Sequence, residues 1–307
     1  MKQITFSEAL EGYMIFAQTR LSENTIRDYL NTFTKFQKFL GEDLYLDDIG
    51  VSLIEKFMFS YRQMAKKTLV NYHIALCALW TWAYDRKFVN EKIPQQYQPP
   101  KPDAIEIIPY SETDLKAMLM FCTVSKFYTR PGTRDTQRGI PEGERLKTIL
   151  YLLLDTGMRA SEVCNLKIRD IDLPNHYLKV MGKGRKERVI PLSPKMEQIL
   201  WRHMFEKKNQ PLNRPVFTTN SGQALRRDNL LKSIYRLAKR AGVKDANIHR
   251  FRHTFAINCL RYGGKTVMLQ RILGHSTLEM TKRYLAIAEV EIQEDHKIAS
   301  PVMNLGI

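Results

Sequence analysis

The chain is short of several things. Its 307 residues hold only four cysteines, Cys77, Cys122, Cys164 and Cys259, with no CxxC pair, so no disulfide framework or cysteine-rich metal site is written into it. Thiols amid apolar neighbours, as in Leu76-Cys77-Ala78-Leu79, suit a reducing compartment. No apolar run reaches the roughly 18 residues that a membrane span needs. The opening Met-Lys-Gln-Ile-Thr-Phe-Ser-Glu carries no such run either, so a soluble, cytoplasmic protein with no membrane partner is expected. A glycine-rich nucleotide loop, a Ser-His-Asp order and a catalytic carboxylate pair are also missing. Those absences leave nucleotide-dependent and hydrolytic chemistries without their usual residues. Acidic residues are scarce as well, 32 against 48 Lys and Arg, for a net charge of +16.

That charge is unevenly placed. Residues 1–100 hold 12 basic and 11 acidic side chains, and residues 101–307 hold 36 and 21. A chain this long, 44% hydrophobic, suits two domains of roughly 100 to 200 residues, each with its own core. The basic excess belongs to the second. Phosphate backbones and anionic membrane surfaces both attract such a region, and solubility alone can account for it.

The first 90 residues read as four helices. Phe6, Leu10, Met14 and Phe16 to Ala17 approximate a stripe; Ser22 precedes the amphipathic run Ile26 to Leu40, stopped by Gly41; Val51 to Met64 and Lys67 to Tyr84 complete the set. Residues 93–104 hold four prolines, which predicts an extended spacer and a domain boundary. Ser111 to Asp114 has the form of a capping box, and an apolar helix follows from Leu146 to Asp155. Strand signals come next, at Leu166 to Ile171, Tyr177 to Met181 and Arg188 to Leu192. The last two flank a basic turn, so a β-hairpin presents Lys183, Arg185 and Lys186. Helices resume at Arg226. The expected fold class is mainly α with a small antiparallel β-sheet.

Three clusters carry chemistry. In Thr156-Gly-Met-Arg-Ala-Ser-Glu162, Arg159 can fork two N–H bonds onto a phosphate while Glu162 holds a neighbouring donor; a surface i, i+3 ion pair is the plain reading. In Ile248-His-Arg-Phe-Arg-His253, His249 and His253 share a helix face as zinc ligands do. The acid of that motif is absent and two arginines intervene, so His249 with Arg252 reads instead as a proton-transfer group beside a fixed cation. In Leu273-Gly-His-Ser-Thr-Leu-Glu-Met-Thr-Lys-Arg-Tyr284, Ser276 and Glu279 form a capping box that puts His275 at a helix N-terminus. Tyr284 lies over two turns further on, where a tyrosine is most often simply packed. Together the clusters bring cations, imidazoles and a phenol, a set suited to transesterification at a phosphodiester. Surrounding cations are expected to favour the phenolate over a phenol of ordinary pKa about 10.

These stretches, with GKGRKERVIPL around Lys183, resemble the tyrosine recombinases of the phage integrase and Xer type, in the family's order Arg, Lys, His-x-x-Arg, His, Tyr. The resemblance covers essentially the whole chain. It implies an N-terminal four-helix core-binding domain over 1–93, a Pro-rich linker over 94–109, an α+β catalytic domain over 110–285 and a C-terminal tail over 286–307. It implies that Arg159 and Arg252 grip the scissile phosphate, His275 hydrogen-bonds it, Lys183 protonates the departing 5′ oxygen, and His249 moves the nucleophile's proton. Glu162 supports them, and Tyr284 forms a 3′-phosphotyrosyl link. Arg185, Lys186 and Arg250 are candidates for DNA contact, with Arg250 also lowering the proton affinity of His249.

No metal, cofactor or ATP is expected, because the covalent bond keeps the energy of the broken diester. The partner implied is double-stranded DNA with specific sites, bound by a homo-tetramer that is monomeric or weakly associated without DNA, at the nucleoid. The same motifs serve integration of a mobile element and resolution of chromosome or plasmid dimers. A type IB topoisomerase shares the chemistry and is the alternative. Arg130, Arg134 and Arg138, in a loop over 124–142 longer than a minimal member carries, either touch DNA or are merely solvated. The acidic tail is either exchanged between protomers or an ordinary terminal helix.

Overall fold

Capping chemistry sets where the helices begin. In the computed structural model, which describes residues 3–103, 106–124, 140, 142–182, 187–205, 210–275 and 277–288, the chain divides into two units, Met1–Ile105 and Glu106–Ile307. Helix α1 (Phe6–Gln18) starts at a reciprocal cap, the Glu8 N–H donating to the Thr5 hydroxyl (3.3 Å) and the Thr5 N–H to the Glu8 carboxylate (2.9 Å). Helix α2 (Glu23–Leu40) follows the Ser22 cap and stops at Gly41, which takes φ 78°. Helices α3 (Val51–Ser60) and α4 (Lys66–Asp85) complete the first unit's bundle.

Phe6, Phe33, Phe36, Phe57 and Trp80 are fully buried in that unit, with Phe36 and Phe57 edge to face at 4.9 Å. The buried stripe of α1 is Phe6, Ala9, Tyr13 and Ala17, not the expected line through Leu10 and Met14. Small residues allow this: a Cβ on Gly12 would stand 2.8 Å from the Trp82 ring, so the helix closes on its small face and the larger side chains flank it. Helix α3 ends at Ser60, short of the expected Met64.

The proline-rich stretch is not an extended spacer at its start. Ile93–Gln96 forms a 3-10 turn with Pro94 buried, its carbonyl sharing a 2.8 Å hydrogen bond with His73 Nε2, and Ile93 and Tyr97 pack on the aromatic core. Proline at the first turn forgoes an N–H that has no partner there anyway, and its fixed φ suits the turn.

The second unit opens with α5 (Glu112–Met120), capped by Ser111, and α6 (Gly143–Thr156). After α7 (Ala160–Asn165) come three antiparallel strands in the order β1 (Ile171–Asp172), β2 (Tyr177–Met181) and β3 (Glu187–Pro191). The strand expected over Leu166 to Ile171 is mostly a 3-10 turn at Ile168–Asp170. There the Asp170 carboxylate accepts the Lys167 N–H (2.9 Å), a local bond that outcompetes a ladder. Register pairs Leu178 with Ile190 and Val180 with Arg188, so the inward face carries three apolar side chains and one guanidinium. Helices α8 (Pro194–Phe205), α9 (Arg227–Ala241), α10 (Ile248–Arg261), α11 (Thr266–Leu273) and α12 (Glu279–Ala288) follow. Among the described residues, no helix is long and apolar enough to cross a membrane.

Gly157 ends α6 at φ +61°, where a Cβ would meet Phe255 at 2.4 Å and Leu273 at 2.9 Å. Left-handed strain and overpacking together predict that Gly157→Ala lowers stability by about 2–4 kcal/mol. A thermal midpoint equal to that of the unaltered protein would contradict this packing.

Candidate active site

The turn from α6 to α7 places the first cation. With Gly157 closing α6, Arg159 becomes the extended N-cap residue of α7, and Glu162, one turn on, reaches back to it. The Glu162 carboxylate accepts the Arg159 backbone N–H (2.7 Å) and its Nη1 (3.1 Å). This ion pair is not a surface pair: Glu162 is buried while Arg159 is one-third exposed.

A third arginine, unnoticed in the sequence, completes the arrangement. Arg188 of β3 donates Nη1 and Nη2 to the two Glu162 oxygens (2.8 and 2.9 Å) and Nε to the Ile272 carbonyl (2.7 Å). Burial alone would lift the Glu162 carboxyl; the bonds from Arg188 and Arg159 reverse that and hold it below the usual carboxylate range. The only sequence signal was a basic residue at an inward strand position, which an alternation reading discards as solvated.

Arg252, 5% exposed, sits on α10 with Nη1 donating to the Gly157 carbonyl (2.9 Å) and Nη2 to the Leu273 carbonyl (2.7 Å). Burial, reinforced by the Arg159 charge, brings its pKa down to about 10, so it remains a cation at neutral pH. Gly274 caps α11 at φ +65° and hands the chain to His275. The His275 N–H returns to the Gln270 carbonyl (3.1 Å), and its Nδ1 shares a 2.9 Å bond with the buried Thr281 hydroxyl. His275 is therefore tied both to the end of α11 and to Thr281 of α12, but it precedes the start of α12 at Glu279 by four residues and does not stand at that helix's N-terminus. Ser276, the other half of the expected capping box, lies outside the described residues.

Tyr284 is 5% exposed on α12. Its hydroxyl shares a 2.9 Å bond with His253 Nδ1, and its ring stacks on that of His275 at 6.1 Å and 14°. Burial raises its pKa, against the lowering effect of Arg252, Arg159 and Arg283. The cations thus act in the expected direction, but desolvation wins and the phenol stays protonated in the unliganded protein. His249, one turn before His253, is exposed. It is shifted below its ordinary value by desolvation and then by Arg227, Arg252 and Arg159, without the expected contribution from Arg250.

Arg250 turns away from this cluster. It donates to the carbonyls of Ile108 (3.1 Å), Lys244 (3.0 Å) and Pro109 (3.2 Å) and lies over the Tyr110 ring. Its donors hold the 108–110 segment on α10 as a structural tie. Lys183, Arg185 and Lys186 lie outside the described residues, as do Arg130, Arg134 and Arg138 and the tail beyond Ala288. Among the described residues, no three His, Cys, Asp or Glu side chains gather as a metal cluster.

The imidazoles make a pH prediction. Burial is the first cause of depression at His253 and at His275, which is brought to about 4 chiefly by desolvation and then by Arg252, Arg159 and Arg188. As pH falls from about 6.5, the unfolded chain takes protons that the folded one refuses. Stability is therefore fully present above pH 6.5 and declines toward pH 4. Thermal midpoints should fall over that interval, less steeply in His275→Gln; equal slopes in the two proteins would refute the assignment.

The comparisons bear on this geometry. The family model described as "Phage integrase family" matches residues 133–291, and that of the "Phage integrase, N-terminal SAM-like domain" matches residues 10–87. The tyrosine recombinase XerC of Staphylococcus epidermidis is 30% identical over 302 residues, spanning 96% of this chain and 97% of the relative. The tyrosine recombinase XerD of Staphylococcus haemolyticus is 28% identical, spanning 93% and 96%. In fold, the chain is similar to the Tn1549 transposon integrase in complex with transposon right end DNA (TM-score 0.73, 19% identity, 99% of this chain and 100% of that one). It is likewise similar to a lambda integrase tetramer bound to a Holliday junction (TM-score 0.73, 16% identity, 92% and 78%). These comparisons lend nothing to the topoisomerase alternative. With the catalytic family model spanning more than half of the chain and relatives alike from end to end, the chain belongs to the phage integrase family of tyrosine recombinases, enzymes that cleave and rejoin DNA at specific sites.

Proposed function

We propose that Tyr284 is the nucleophile of this recombinase and that Arg159, Arg252 and His275 form its phosphate clamp. The observation that carries the reading is the setting of the phenol: bonded to one imidazole, stacked on a second, and close enough to Arg252 and Arg159 for both to lower its pKa. The Tyr284 oxygen attacks phosphorus, a 3′-phosphotyrosyl bond forms, and the bond to the 5′ oxygen breaks. Lys183 gives that oxygen its proton. The phenol's own proton passes to an imidazole of α10; the sequence pattern nominates His249, and His253 is the one within hydrogen-bonding distance. Where the Thr281 hydroxyl donates to His275 Nδ1, the neutral ring keeps its N–H at Nε2 for a phosphate oxygen. Glu162 steadies Arg159.

Rejoining reverses the steps with a 5′ hydroxyl from the partner strand, and needs neither ATP nor cofactor because no diester energy has been lost. Exchange of strands two at a time calls for four protomers on two synapsed duplexes, hence a homo-tetramer on DNA and weak association without it. The first unit also grips the duplex, Arg185 and Lys186 contact backbone phosphates, and the enzyme works in the cytoplasm at the nucleoid. The tail beyond Ala288 links neighbouring protomers.

The test is covalent capture on a nicked suicide duplex drawn from a randomised library, followed by mass spectrometry of the linked peptide. The Tyr284 peptide is expected. A bond to any other residue, or no capture, overturns the reading.

A further inference from the structure

We propose that Arg188 is a positioning residue of the phosphate clamp: by neutralising Glu162 it leaves the charge of Arg159 available to the scissile phosphate, and by holding Ile272 it sets the turn that carries His275. The proposal rests on the functional reading above and concerns a residue that does not itself meet substrate.

Arg188 occupies an inward strand position opposite Val180 with its side chain 11% exposed. A guanidinium there is costly unless its donors are matched. Three of its N–H groups are, by both Glu162 oxygens and by the Ile272 carbonyl. Each oxygen of that carboxylate also serves Arg159: Oε1 takes Arg159 Nη1, and Oε2 takes the Arg159 backbone N–H. Two cations thus share one anion, and the trio keeps a net positive charge. Without Arg188, Glu162 and Arg159 would neutralise one another, and the guanidinium that already meets the carboxylate at 3.1 Å would be held there more strongly.

The opposite end of Arg188 is equally committed. Ile272 and Leu273 are consecutive residues at the end of α11; Arg188 bonds the carbonyl of the first and Arg252 that of the second. The stem of Arg188 lies against the turn itself, since a Cβ on Gly274 would be 3.1 Å from its Cδ. One side chain therefore links β3, α7 and the segment leading into His275.

The experiment uses the full chain and a suicide duplex selected by covalent capture with the unaltered protein. Arg188→Met is expected to slow adduct formation by roughly 10²-fold or more, the scale of losing an electrostatic donor at a transition state. Glu162→Gln combined with Arg188→Met should recover part of that loss, because the carboxylate that holds Arg159 is gone. On the same duplex with an uncharged methylphosphonate at the scissile position, the deficit of Arg188→Met should narrow. A merely structural role predicts a double variant no faster than the single one and an equal deficit on both substrates; that pair of results overturns the proposal. Should Arg188→Met fail to fold, Arg188→Gln, which removes the charge and keeps a polar side chain on the strand, supplies the same comparison. Absence of any adduct from the unaltered protein overturns the functional reading, and this proposal with it.

Discussion

Tyr284→Phe is expected to abolish the covalent protein–DNA adduct and to leave affinity for duplex DNA essentially intact. The substitution removes one oxygen from a buried ring that clusters with Ala256, Ile257 and Leu260 of α10, so the packing of α12 on α10 survives. What goes is the atom proposed to attack phosphorus. The cost to folding is confined to the partner left behind: the half-buried His253 Nδ1 loses its bond, worth about 1 kcal/mol. A denaturing gel after incubation with the selected suicide duplex reads the adduct, and a filter-binding titration reads the affinity. An adduct that survives in this variant removes Tyr284 from the mechanism.

Arg159→Ala and Arg252→Ala are each expected to slow cleavage by roughly 10²- to 10³-fold, the range for loss of one donor from a site that stabilises developing charge. Affinity changes far less, because many phosphate contacts along the duplex share the binding energy. The two variants differ in stability. Arg159 is one-third exposed, and its removal leaves Glu162 still paired with Arg188. Arg252 is buried, and its removal strands the Gly157 and Leu273 carbonyls, so a fall in thermal midpoint accompanies the kinetic loss. Arg252→Lys keeps a cation in place and separates the effects. Equal losses in binding and cleavage would count against the clamp.

Much of this was local and therefore readable. Ser22 and Gly41 bound α2 because a side-chain cap and a left-handed glycine act within a few residues. The pairing of Tyr177–Met181 with Glu187–Pro191 follows from alternation around a basic turn. Arg252 and His275 stood out because their motifs are contiguous, although the carbonyls that fix Arg252, of Gly157 and Leu273, belong to other segments, and Thr281 meets His275 only through the fold of their shared motif.

Where the reading departed from the structure, a nonlocal contact or a competing local bond had won. Pro94 entered a packed turn under His73, where its composition suggested a spacer. Arg250 spent its donors on the 108–110 backbone, and no pattern of charges in a helix reveals where each guanidinium folds. His249 and His253 lie on one helical face, so spacing could not say which would meet the phenol; the placement of α12 did. Arg188 was the largest omission, because a single arginine in a strand reads as solvated until the strand's inward face is known.

The residues by themselves determined the chemistry on offer: a basic second half, three short motifs in a fixed order, and helix boundaries written in caps and glycines. Only the tertiary structure decided how that chemistry is tuned. Charge and burial act through space, so the protonated state of Tyr284, the neutrality of His275 and the sharing of Glu162 between two arginines exist only once α7, β3, α10 and the end of α11 are packed together.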